Sequence, residues 1–148
     1  TDVAVVKHDY APSNETKFLN QPQSKYPRKL WSAVMVFNCH TSACQRLTPR
    51  YVNESTGAEL HQFKWVPTRN NPAIAEYVKQ DDTEIIKRRV AEIPEAWHFV
   101  PGHSEARVKP EDAKLIHFTE GGPWFPEYAN CEYADLWKAE AKESGFIY

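Results

Sequence analysis

The chain has 148 residues, which suits one domain with a single core. Its 41% hydrophobic and 26% charged residues match an ordinary soluble globular protein. A net charge of −2 excludes a general nucleic-acid binder, which carries a basic excess or a basic face.

No stretch reaches the length of a membrane span and no signal peptide is visible, so a cytoplasmic protein is expected. Cys39, Cys44 and Cys131 are an odd set that closes no disulfide framework, and reduced thiols agree with that compartment. The Cys39-His40 and Cys44 spacing fits no familiar zinc pattern. Asn14-Glu15-Thr16 and Asn53-Glu54-Ser55 match the glycosylation sequon, and without a secretory signal they read as chance matches.

The chain opens Thr1-Asp2-Val3-Ala4-Val5-Val6, whose β-branched residues predict a short buried strand. A start inside a strand, without Met, predicts a processed or truncated piece. Lys7-His8-Asp9-Tyr10 reads as a solvated strand end, with a charged cluster facing an acceptor as the alternative. Pro12, Pro22 and Pro27 among Ser, Asn and Gln predict a long irregular loop over residues 11–29. Trp31 to Cys39 is almost continuously apolar and predicts a central strand covered on both faces.

Ser42 to Leu47 predicts a helical turn. Thr48-Pro49 has the form of an N-cap with proline at the first helical position, for a helix to about Ser55 that stops at Gly57. Leu60 to Trp65 reads as a short strand or extended run. Helices are expected from Asn71-Pro72 to Lys79 and from Thr83 to Val90, with Pro94 as the stop. Asp81, Asp82 and Glu84 followed by Lys87-Arg88-Arg89 mark a solvated helix face.

Trp97 to Val100 and Leu115 to Phe118 are short apolar runs. His98 and His103 flank Pro101-Gly102, where a surface loop is the favoured reading and a metal site the alternative. Tyr133 to Glu143 predicts a closing amphipathic helix with Gly145 as its stop. No repeat and no dividing linker is visible, so residues 1–148 read as one α/β domain, a mixed sheet with flanking helices.

The segment richest in chemistry is Ile116-His117-Phe118-Thr119-Glu120-Gly121-Gly122-Pro123-Trp124-Phe125. It sets an imidazole at a strand end, then a glycine turn, then an aromatic. A neutral imidazole can ligate a divalent metal, and glycines let backbone N–H groups approach phosphate oxygens. The same residues also suit a structural turn with His117 hydrogen-bonded in the core.

This segment resembles the "HF…G…PW" element of family-eight glycosyltransferases, the glycogenin-like retaining enzymes of GT-A fold. Three further segments are similar to family elements and follow in the same order. They are Tyr26 to Cys39, Ile93-Pro94-Glu95-Ala96-Trp97-His98, and Cys131-Glu132-Tyr133-Ala134-Asp135-Leu136-Trp137, the last like the closing helix of a bacterial and phage-type subgroup.

The resemblance implies the C-terminal part of a GT-A domain that transfers sugar from a donor such as a UDP-sugar to a hydroxyl acceptor. It implies His117 as ligand of Mn²⁺ or Mg²⁺, and Gly121, Gly122 and Trp124 at the donor diphosphate. Trp31, Asn38 and Trp97 would shape the acceptor side. The family's Asp-x-Asp is absent from the sequence, and Gly122 and Pro123 stand where the family has a diphosphate-binding lysine. The isolated chain is therefore expected to be inactive, with the acidic pair on a missing N-terminal nucleotide-binding half. The alternative is a non-catalytic module of the same fold that binds carbohydrate or protein. In either case an uncovered sheet edge predicts a homo-oligomer or pairing with the missing half.

Overall fold

A computed structural model describes residues 1–12, 15–23, 25–66 and 88–146. The chain divides into two compact units, Thr1–Ala11 with Tyr26–Glu95, and Pro12–Lys25 with Ala96–Tyr148.

The first unit is built on a mixed sheet of three short strands, Met35–Phe37 (β4), Val3–Val5 (β1) and Val90–Glu92 (β5), in that order across the sheet. The predicted opening strand is β1, Val3–Val5, at the sheet centre. It pairs antiparallel with β4, Met35–Phe37, and parallel with β5, Val90–Glu92. Val3 and Val5 turn into a core with Ala43, Phe63, Trp65, Val66 and Val90.

The sheet is mixed α/β as the sequence implies, but its centre is not where the longest apolar run lies. Trp31–Ala33 forms a turn of 3₁₀ helix rather than strand. Leu30 enters the left-handed region at φ 69°, and the N–H groups of Trp31 and Ala33 donate to the carbonyls of Arg28 and Leu30. What remains of the run is β4, an edge strand with Val36 59% and Phe37 40% exposed. Continuous hydrophobicity there serves several local packings, Trp31 against Phe63 and Phe37 against Trp65, rather than burial on two faces.

Three short helices follow. α1 spans Ser42–Gln45 and α2 spans Pro49–Glu54. The Thr48 side chain accepts from the Tyr51 N–H, as the Thr-Pro pair predicts. Gly57, expected to end α2, instead begins α3, Gly57–His61. Thr56 and Glu59 close a capping box there, each side chain satisfying the other's backbone N–H. Those hydrogen bonds hold the Glu59 carboxyl below its ordinary range. Leu60, placed by sequence in an extended run, therefore belongs to a helix. The expected helix at 71–79, and 83–87 of the next one, lie outside the described residues. Val90, assigned to that second helix, is instead the first residue of β5.

The second unit has little regular structure. Within the predicted loop, β2, Thr16–Lys17, pairs with β3, Gln21–Pro22, in a small antiparallel hairpin. Leu19 and Asn20 at its tip both lie in the left-handed region. The closing helix, α4, spans Ala134–Glu143 and buries Ala134 and Ala141. It stops at Gly145 as expected, and the stop is a Schellman motif. The Phe146 N–H donates to the Ala141 carbonyl, Gly145 donates to Lys142, and Gly145 sits at φ 72°. Among the described residues, no helix is long and apolar enough to cross a membrane.

Asp2 fastens the sheet of the first unit. Its side chain is 1% exposed and takes the guanidinium of Arg89 in a two-pronged contact, at 2.5 and 2.8 Å. Its N–H donates to the Arg89 carbonyl, and its own carbonyl accepts from the Asn38 N–H and the Cys44 thiol. Arg89 is 39% exposed at its side chain, so the two ends of the pair are unequal. Arg89→Ala strands a buried carboxylate and should cost about 3–5 kcal/mol. Asp2→Asn leaves a guanidinium that can reach water and should cost about 1–3 kcal/mol. Urea unfolding of both variants tests this order, and an equal or reversed ranking contradicts it.

Candidate functional site

The second unit gathers the chemistry that the sequence singles out. Two segments run side by side through a parallel bridge between Phe99 and Ile116. The Lys114 N–H donates to the Ala96 carbonyl, Phe99 donates to Leu115, and His117 donates to Phe99. Neither apolar run becomes a full strand, since Glu95–His98 is a 3₁₀ turn and only this bridge follows it.

The bridge brings two histidines together. His98 Nε2 and His117 Nδ1 are 2.8 Å apart, and the rings stack at 5.0 Å with 23° between their planes. His98 is completely buried, so its expected place in a surface loop is corrected. The loop residues are Pro101 and Gly102, while the 3₁₀ turn before them points His98 inward. His117 is half-buried, and that burial lowers its pKa from the ordinary value of 6.5. A neutral imidazole pair can share one proton in a hydrogen bond, one nitrogen donating and the other accepting.

The turn after His117 does not stand open. Gly121 has φ 131°, and a Cβ there would meet the Tyr128 ring at 2.8 Å. A Cβ on Gly122 would collide with the ring of Trp124. Both positions therefore need glycine to make room for aromatic rings of the same chain. Trp124, 42% exposed, packs at 5.5 Å from Trp137 and edge-on to Phe118 at 6.0 Å.

The residues expected on an acceptor side are divided. Trp31 belongs to the first unit, where its indole N–H donates to the His8 carbonyl and Lys7 lies 5.6 Å over its ring. Asn38 is exposed in the same unit and uses its side chain on the Thr1 carbonyl and the His40 N–H. Trp97 belongs to the second unit and is 52% exposed.

His8, expected at a solvated strand end, is only 5% exposed, with Glu95 Oε1 3.4 Å from its Nδ1. Apolar Val5 and Val6 on the same segment carry it inward. Asp82-Thr83-Glu84, the nearest acidic mimic of a metal motif, lies outside the described residues. Among the described residues, His117 belongs to no group of three or more potential metal ligands.

The chain is similar to Protein CDI of Arabidopsis thaliana, with 37% identity over 143 residues. The match takes in 95% of this chain and 48% of that protein, so the chain spans about half the length of the relative it matches. No family model matches the chain. No solved structure matches it either.

Two outcomes follow from this geometry. The fold favours neutral His117, because its folded pKa lies below the unfolded one. That contribution is complete above the ordinary value of 6.5 and is lost as pH falls through the lower folded value. Unfolding free energy should therefore drop on acidification below about pH 6.5, and His117→Gln should flatten that part of the profile. An unchanged slope in the variant contradicts the assignment. Gly122→Ala should displace Trp124 and cost about 1–3 kcal/mol. Its fluorescence should shift toward that of solvent-exposed indole, and an unaltered emission spectrum and melting midpoint would count against the packing.

Proposed function

We propose that this chain is the C-terminal portion of a GT-A-type nucleotide-sugar transferase, which moves a sugar from a nucleotide donor to a hydroxyl acceptor. The observation that carries the reading is the pairing of His117 with buried His98. Histidines that ligate metals usually donate their second ring N–H to a fixed acceptor, which sets tautomer and orientation. In this reading His98 Nε2, 2.8 Å away, accepts from His117 Nδ1–H, which leaves His117 Nε2 as the atom for a divalent ion.

The described residues do not by themselves fit Mn²⁺ or Mg²⁺. Such ions prefer several oxygen ligands, and His117 supplies one nitrogen. In this reading the carboxylates come from a further segment of the polypeptide. The length of Protein CDI, about twice the match, leaves room for one. Among the described residues β4 pairs with β1 alone, so its outer edge is also consistent with pairing to such a segment or with self-association.

A second reading is favoured by the filled glycine turn. With Tyr128 and Trp124 in the spaces at Gly121 and Gly122, the turn serves packing as well as any diphosphate contact. That suits a non-catalytic module of the same fold that binds carbohydrate or protein.

Calorimetry separates the two. In a polypeptide of the length of Protein CDI that includes this chain, Mn²⁺ should tighten UDP binding at least about tenfold, and His117→Ala should abolish that gain. UDP binding that is absent, or indifferent to both Mn²⁺ and the substitution, contradicts the transferase reading.

A further inference from the structure

The geometry points to a saccharide-binding depression on the second unit, formed by the β2–β3 hairpin tip and the segment that follows the glycine turn. Its role as an acceptor site rests on the transferase reading, whereas the binding itself does not. The depression has a volume of about 430 Å³, inside the roughly 300–1,000 Å³ of small-molecule pockets. It is lined by Lys17, Leu19 and Asn20 from the hairpin and by Glu120, Glu127 and Tyr128 from the turn segment.

The chemistry of the lining selects the ligand class. Glu120 and Glu127 accept hydrogen bonds only, while Lys17 donates and the Asn20 amide does both. Two carboxylates against one ammonium disfavour a phosphate or other anion. A bare cation has no use for an ammonium, an amide or an aromatic ring. A neutral polyol with an apolar C–H surface matches all of them, its hydroxyls meeting donors and acceptors and its ring carbons meeting Leu19 and Tyr128.

The site is also held in shape. The backbone of Leu19 and Asn20 is left-handed, at φ 54° and 55°, and leaves Leu19 57% exposed. Tyr128 is set by the space at Gly121 and by the edge of Phe125 at 6.5 Å. Glu120 lies three residues after His117, so the depression borders the segment that would hold a donor.

Titration of the 148-residue chain with methyl glycosides, followed by amide chemical shifts, tests this site. Shifts should concentrate at residues 15–20 and 120–128, and Glu120→Gln with Glu127→Gln should weaken binding at least about tenfold. Both side chains are exposed, so the double variant keeps the fold and its spectrum reports that directly. No localised shift with any glycoside overturns the proposal. So do equal shifts with glycerol, or glycoside binding unchanged in the double variant. A depression that fails this test leaves Mn²⁺-dependent UDP binding untouched, and failure of UDP binding leaves glycoside shifts intact.

Discussion

The carboxylate of Asp2, almost wholly excluded from water, must be matched by a cation where it stands, and the first unit is arranged around that demand. Arg89 answers it from the residue before β5. The same aspartate's backbone meets Arg89 on one side and Asn38 on the other, so the ends of β1, β4 and β5 converge on one residue. Strands of three residues bury little apolar area each. A two-pronged ion pair whose carboxylate is buried gives such a sheet a register that apolar contact alone would leave loose. The guanidinium gains from the arrangement too, since its hydrogen bond to Asp2 pushes the Arg89 pKa up.

The second unit uses the same device in neutral form. A single parallel bridge between Phe99 and Ile116 is too short to define a sheet, yet it suffices to stack two histidines. His98 has no access to water and must find its partners in the protein. Its Nε2 fixes the orientation of His117, the residue at the mouth of the glycine turn. Aromatic rings from Trp124 and Tyr128 then occupy the space that glycine leaves. An imidazole set in this way takes its orientation from the protein's own groups.

How legible this was depended on how local the cause is. The cap at Thr48, the Schellman stop at Gly145 and the strand at Val3–Val5 follow from residues next to them in sequence, and each was readable. The Trp31 to Cys39 run misled because hydrophobicity reports burial, not geometry. Leu30 takes a left-handed turn that no side chain at that position announces. Gly57 reads as a helix stop, and the capping box of Thr56 and Glu59 across it is the signal that reverses that reading. His98 was not recognisable as a partner of His117, because nineteen residues separate them and only the Phe99–Ile116 bridge makes them neighbours. The glycines at 121 and 122 were legible as a turn but not as sockets, since the rings that fill them lie further along the chain.

The proposed metal role of His117 rests on one proton. If His98 accepts, His117 carries hydrogen on Nδ1 and offers Nε2 outward. If His98 donates, His117 carries hydrogen on Nε2 and has no free lone pair for a metal. Long-range ¹H–¹⁵N correlation of the two imidazoles at neutral pH distinguishes the tautomers. The proposed metal role predicts a protonated Nδ1 and an unprotonated Nε2 on His117. A proton on His117 Nε2, with Nδ1 as the acceptor, would contradict it.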